Sequence, residues 1–82
     1  MTEVIRWGTT LYDIPTGFRK VTWDQLTVGQ EVYIAGKNNG RPWAYGPHKV
    51  YDPTQKLLER TVYGVFMPRI FVENTDGVLV RI

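Results

Sequence analysis

The residues best suited to chemistry in this chain are basic and aromatic side chains gathered between positions 37 and 51. If this stretch formed one unbroken strand, the odd-numbered residues from Trp43 to Tyr51 would share a face, because side chains alternate along a strand. Exposed rings stack on nucleobases for about 1–3 kcal/mol each, and neighbouring cations pair with phosphates. The stretch therefore predicts a surface for single-stranded nucleic acid, with these candidate binding residues: Lys37, Arg41, Trp43, Tyr45, His48, Lys49 and Tyr51.

The same rings have other interpretations. A chain of 82 residues without cysteine depends on aromatic packing for stability, so Trp43 and Tyr45 could instead belong to the core. Gly46-Pro47 could also break the strand register and scatter the face, because proline cannot donate to a ladder. Alternatively, an exposed surface of Tyr and Trp grips an extended peptide and anchors a protein partner, with little salt dependence. The predicted partner is thus nucleic acid or another protein.

The formal net charge of +2 is unevenly distributed along the chain. Residues 1–36 carry three basic and four acidic side chains, a net charge of −1. Residues 37–60 carry five basic and two acidic side chains, a net charge of +3, and residues 61–82 carry two of each. The positive charge therefore coincides with the candidate surface, as expected for a site that meets phosphates.

The remaining ionisable side chains show no pattern typical of catalysis or of a metal site. His48 is the one histidine of the sequence, and a lone imidazole without cysteine cannot supply the four ligands of a structural zinc. The carboxylates are spread evenly, serine is absent, and no glycine-rich loop ends in the Lys-Ser/Thr pair of a phosphate-binding loop. We therefore expect a protein that is not an enzyme and holds no metal or other cofactor.

The element that must position the candidate residues is a hairpin. Val32 and Ile34 alternate with Tyr33, which is typical of a half-buried strand. Asn39-Gly40 then favours a type I′ turn, in which both central residues need a positive φ. Two strands joined at this turn would carry the candidate residues near the turn and along the second strand.

Further elements predict a small all-β architecture. Thr2–Trp7 alternates as a first strand, residues 8–20 read as irregular, and residues 21–26 read as a single helical turn. In that turn Thr22 and Gln25 have the spacing of a capping box, and Trp23 and Leu26 would anchor it on the core.

The second half of the chain continues the pattern. Thr61–Met67 is rich in strand-forming residues, and Arg69–Glu73 and Val78–Ile82 flank a turn at Asn74–Gly77 that predicts a second hairpin. Five or six short strands, with turn signals every ~8–12 residues, predict a closed or half-open barrel with at most one short helical turn. We expect it to span residues 1–82 as one domain.

Residues 28–40 resemble the opening of the KOW motif, a strand followed by a glycine-lysine turn that occurs in several ribosomal and transcription-elongation proteins. The family continues with a glycine and a valine, which here are Gly46 and Val50 and come a few residues late. The resemblance covers about a quarter of the chain and implies an SH3-like barrel. The matching positions are Gly29, Val32, Ile34, Gly36, Lys37 and Gly40.

Size and composition also bear on location and assembly. The first residues contain no basic segment followed by an apolar run, and no stretch approaches the ~20 apolar residues that span a bilayer. We therefore expect a cytoplasmic protein that does not engage membranes. Because so small a core is marginal, we also consider a homo-oligomer or structural subunit that pairs through a strand edge such as Thr61–Met67 or Arg69–Glu73.

Overall fold

A computed structural model describes residues 3–60, 69–72 and 74–82, and its regular structure there is almost entirely β-strand. The predicted all-β class with a single short helical turn is confirmed, whereas the predicted number of five or six strands is wrong, because the described residues form eight. The predicted strand Thr61–Met67 and the break at Pro68 lie outside the described residues. The strands are β1 (Val4–Trp7), β2 (Thr10–Asp13), β3 (Phe18–Thr22), β4 (Glu31–Asn38), β5 (Arg41–Asp52), β6 (Leu57–Arg60), β7 (Arg69–Phe71) and β8 (Gly77–Arg81).

Six strands form one sheet in the order β3-β8-β4-β5-β6-β7, and β1 and β2 form a separate hairpin. The described ladders are all antiparallel. Between the residues that the structure describes, no ladder joins the end strands β3 and β7, so the sheet has an open strand order. The longest ladder is that of β4 and β5, which runs from Glu31 opposite Lys49 to Asn38 opposite Arg41.

Strand β4 separates two apolar clusters, one on each side of the sheet. Val32 belongs to the first and Tyr33 to the second, as the alternation predicted. The β1–β2 hairpin covers the second cluster through Ile5, which is 1% exposed. The expectation that residues 8–20 are irregular is therefore wrong for β2 and for the start of β3. The first cluster contains Val21, Trp23, Leu26, Val32, Val50, Leu58, Val72, Val78 and Val80, and the second contains Ile5, Tyr33, Ala35 and Leu79.

The predicted helical turn is a 3₁₀ helix at Trp23–Gln25 that anchors the chain on the first cluster. Its capping differs from the prediction, because the Thr22 hydroxyl donates to the Asp24 carboxylate and makes no cap hydrogen bond. The buried Trp23 indole donates to the carbonyl and hydroxyl oxygens of Thr75, at 3.2 and 3.1 Å. Nowhere in the described part of the chain is there a helix of the length and apolarity that crossing a membrane requires.

The predicted second hairpin is wrong. Strand β7 pairs with β6, whereas β8 lies between β3 and β4. The turn before β8 instead contacts the β1–β2 hairpin, where Trp7 and Thr75 form an isolated bridge and the Gly8 N–H donates to the Asn74 carbonyl at 2.8 Å. A turn signal thus indicates where the chain changes direction, but not which strands pair.

The Asp76 side chain links β1 and β3 to this turn through hydrogen bonds. Its carboxylate accepts hydrogen bonds from the Lys20 ammonium at 2.9 Å and from the Arg6 backbone N–H at 3.1 Å. Lys20 also donates to the Val4 carbonyl at 3.2 Å. Burial by itself would raise the pKa of Asp76, but these hydrogen bonds and the charges of Lys20 and Arg6 outweigh it and hold that pKa below its usual value.

We therefore expect acid to weaken the fold through Asp76. A carboxyl whose pKa is lower in the folded state stabilises that state above its unfolded pKa, and the contribution is lost as the pH falls through the folded pKa. Asp76→Asn should lower the free energy of unfolding at neutral pH and flatten its decline between about pH 5 and about pH 3. Urea denaturation across that range tests this, with Asp13→Asn as the matched charge change on β2. An unchanged acid profile in Asp76→Asn would contradict it.

Candidate functional site

The candidate residues nearest the turn lie on a hairpin that extends beyond the strands beside it. Strand β8 pairs with β4 at Tyr33, and β6 pairs with β5 from His48 onward. Neither of these described ladders reaches residues 36–45, where β4 and β5 pair with each other. We call residues 36–45 the hairpin arm. Most residues of the arm are exposed, whereas Ala44 is half-buried against the second cluster, so the exposed side chains of the arm are open to a ligand.

The turn at the end of the arm has the predicted geometry. Asn39 and Gly40 connect the paired residues Asn38 and Arg41, and both take positive φ, 53° and 77°. Positive φ at both central positions is the requirement of a type I′ turn, whose twist matches that of the flanking strands. The local sequence therefore specifies the turn that closes the arm.

Farther from the turn, strands β4 and β5 change register at Gly46-Pro47. Val32 pairs with His48, but Ile34 pairs with Tyr45, so two steps along β4 correspond to three along β5. An extra residue on one strand is a β-bulge, which changes the side that the following residues face. The alternation of β5 is therefore reversed across Gly46-Pro47.

This bulge divides the candidate residues between two sides of the sheet. By register, Trp43 and Tyr45 lie on the side of His48, whereas Lys49 and Tyr51 lie on the opposite side. The single face that an unbroken strand would give does not form, and the alternative of a register break is confirmed.

Trp43 and Tyr45 are nevertheless open to solvent. They are 47% and 43% exposed, so the alternative that these rings are core residues is wrong. They share a side with the buried residues of β5, but the arm contributes no residue to the first apolar cluster. The cations Lys37 and Arg41 are also exposed on the arm. By register, Arg41 lies on the side of the two rings, whereas Lys37 lies with Pro42 on the opposite side.

The Tyr45 ring is held in place by its neighbours across the ladder. It lies over Gly36, where an added Cβ would come within 2.5 Å of Cε2 of the ring. Its hydroxyl donates to the Lys37 carbonyl at 2.6 Å. Trp43 pairs directly with Gly36, which has no side chain to cover the indole. Tyr45 is therefore a fixed support, and Trp43 offers the larger surface for stacking.

The other candidate residues lie away from this surface. His48 is 9% exposed and belongs to the buried side of β5. Lys49 lies in register between Glu31 and Glu59, so unlike Lys37 and Arg41 it has acidic residues opposite it on both neighbouring strands. Tyr51 is 37% exposed at a second irregularity of β5. The candidate residues that the structure brings together on one side of the arm are Arg41, Trp43 and Tyr45, and Lys37 lies on the other side of the same arm.

Sequence reasoning missed a groove beside the arm. The groove has a volume of about 440 Å³, and a single charged residue, Arg81, is among the residues that line it. No motif could have revealed it, because its residues come from β3, β4, β5, β8 and the loop before β3. The residues that give the groove its aromatic, proline and charged lining are Pro15, Phe18, Tyr33, Pro42, Trp43 and Arg81.

Arg81 is fixed against two rings of this groove. Its guanidinium carbon lies 5.4 Å from the ring centroids of both Phe18 and Tyr33, and its Nε donates to the Tyr33 hydroxyl at 3.0 Å. The two rings meet edge to face, with centroids 5.0 Å apart. The hydrogen bond with Tyr33 raises the pKa of Arg81 above its already high value. The groove therefore holds a permanent positive charge over an aromatic floor.

The side chains that could ligate a metal and that the structure describes lie within residues 3–60, 69–72 and 74–82. Within these ranges, no three His, Cys, Asp or Glu side chains are grouped closely enough to hold a metal ion. Comparisons of the chain with protein-family models, with curated proteins and with solved structures find no match.

Proposed function

We propose that this protein acts by binding rather than by catalysis, and that it binds single-stranded nucleic acid on the hairpin arm. The observation that carries the proposal is the indole of Trp43, which is 47% exposed on an arm that also presents Lys37 and Arg41. A base stacked on an indole, with its phosphates beside two cations, is the usual arrangement in sequence-tolerant binding of single strands.

The charge of this segment supports the proposal. Residues 32–51 contain no Asp or Glu, so a phosphate backbone lying along the arm meets no repelling carboxylate from the segment itself. Lys37 lies opposite Pro42 in the ladder and Arg41 opposite Asn38, so neither cation faces a carboxylate across the strands. Both charges therefore remain available to an anionic ligand.

The rigidity of the arm supports it as well. Tyr45 is held by Gly36 and by its hydrogen bond to Lys37, so the arm loses little freedom when it binds.

Titration of a labelled random single-stranded oligonucleotide, followed by fluorescence anisotropy at two salt concentrations, tests the proposal. Two phosphate contacts give a slope of about −1.4 in log affinity against log salt, or roughly a sevenfold loss between about 50 and about 200 mM. Arg41→Gln should reduce this slope by about 0.7. Lys49→Gln removes the same charge from the opposite side of β5 and should leave the slope unchanged.

Two results would contradict the proposal. Absence of oligonucleotide binding at low salt would exclude nucleic acid as the ligand. Equal effects of Arg41→Gln and Lys49→Gln would show that net charge, and not the arm, determines affinity. Binding of a protein partner, the alternative from the sequence, would instead depend on the rings and little on salt.

Self-association is a second candidate, supported by a separate observation. Phe71 is 63% exposed on β7, which ends the described strand order of the sheet. An apolar ring on an end strand favours pairing with a second copy. Sedimentation equilibrium of the wild type and of Phe71→Glu tests this, and a monomer at all concentrations would exclude it.

A further inference from the structure

The groove beside the hairpin arm has the features of a nucleotide pocket. Its volume of about 440 Å³ lies within the range of small-molecule sites, roughly 300–1,000 Å³. Phe18 and Tyr33 form an aromatic wall, and prolines from the loop before β3 and from β5 add flat apolar surface. Such walls suit a planar ring better than a flexible aliphatic chain.

Charge in the groove favours an anionic occupant. Arg81 is exposed, and among the described residues that line the groove it is the one charged residue and no carboxylate occurs. The Glu31 carboxylate lies outside this lining, near enough to contribute to the raised pKa of Arg81. Its guanidinium is oriented by the Tyr33 hydroxyl and by two rings, so it is positioned before any ligand arrives. A guanidinium fixed in this way binds a phosphate through paired N–H donors.

A Pro-rich peptide fits the same walls less well. Aromatic grooves that bind such peptides pair acidic residues with basic ligands, and this groove carries the opposite charge. A ring attached to a phosphate satisfies both the apolar walls and Arg81. The chemistry of the groove therefore selects a nucleotide.

The groove is continuous with the arm. Trp43 belongs to the arm and also lines the groove, and Pro42 does the same. By register, the Trp43 side chain lies on the side of the first apolar cluster, whereas Phe18 and Tyr33 belong to the side of the second. An oligonucleotide stacked on Trp43 therefore reaches the groove by crossing the arm at Pro42, which lies on the side of the groove. We propose that the groove receives a further nucleotide of the same oligonucleotide, with its base against the half-buried Phe18 and its phosphate on Arg81, while the buried Tyr33 holds Arg81 in position. This inference rests on the proposed function of the arm.

Oligonucleotide titration of groove variants tests the inference. Arg81→Gln should reduce the salt slope by about 0.7, in addition to any effect of arm variants. Phe18→Leu should weaken binding by about fivefold or more, as expected for the loss of one stacked base. The matched control is Arg19→Gln, an exposed arginine on β3 that does not line the groove, which should leave the slope unchanged. Thermal melting of each variant verifies that it is folded.

A measurement on the unaltered protein provides a second test. Photo-crosslinking with an iodouracil-substituted oligonucleotide should give adducts on Phe18 or Tyr33 as well as on Trp43. If Arg81→Gln and Phe18→Leu match Arg19→Gln, or if adducts form on the arm alone, the groove inference is wrong while the arm proposal stands. If the wild type binds no oligonucleotide and gives no adducts, both are wrong.

Discussion

Replacing Gly77 by alanine should lower the free energy of unfolding by about 3 kcal/mol, the upper end of the usual cost of overpacking. A Cβ at this position would lie 2.6 Å from the Val21 carbonyl oxygen, and that oxygen belongs to the backbone of β3. Because a paired strand cannot move aside as a side chain can, β3 and β8 would have to separate. These strands also bring Phe18 opposite Arg81, so the groove depends on the same close approach.

Urea denaturation measures this effect, and a fall in Tm of more than about 10 °C should accompany it. The control is Gly8→Ala. Gly8 has a φ of 62° and no atom within 4 Å of an added Cβ, so its substitution costs only about 1 kcal/mol of backbone strain. If Gly77→Ala and Gly8→Ala lower the free energy of unfolding equally, the proposed clash with the backbone of β3 is wrong.

Replacing Trp43 by alanine should weaken binding of single-stranded oligonucleotides by about 5- to 150-fold, which corresponds to one lost base stack of about 1–3 kcal/mol. The indole is 47% exposed, so the substitution should change stability much less than it changes affinity. The salt slope should stay the same, because no phosphate contact is removed. A large loss of affinity with an unchanged salt slope is expected for a residue that stacks on a base, and not for one that pairs with a phosphate.

Two variants serve as controls for Trp43. Trp43→Phe keeps an aromatic ring and should retain much of the affinity. Tyr51→Ala removes a ring from the opposite side of β5 and should leave binding unchanged. Loss of affinity in Tyr51→Ala equal to that in Trp43→Ala would mean that the rings act together despite the bulge at Gly46-Pro47. The arm would then not be the binding surface.

Local chemistry explains which features were predictable from the sequence. Asn39-Gly40 is a type I′ turn because its φ values are determined within a few residues. Successive side chains of a strand point to opposite faces of the sheet. The prediction that Val32 and Tyr33 lie on opposite faces was therefore correct. The anchoring of Trp23 in a helical turn likewise depends on near neighbours.

Pairing over long distances was not predictable in this way. The turn signal before β8 predicted a hairpin of β7 and β8. Strand β8 instead pairs with β3 and β4, where its residues are buried on both sides of the sheet. Partner choice depends on which apolar surfaces the whole chain buries, and a turn signal carries no information about that. The groove around Arg81 escaped detection for the same reason, since its walls come from separate strands.

The sequence by itself determined a small all-β protein with a basic, aromatic hairpin ending at Asn39-Gly40. Whether that hairpin would expose its rings was decided by the tertiary structure. The bulge at Gly46-Pro47 placed Trp43 and Tyr45 on the side of β5 that carries the buried residues His48 and Val50. The two rings are nevertheless exposed because the first apolar cluster does not extend to the arm, and the extent of that cluster is set by contacts distant in sequence.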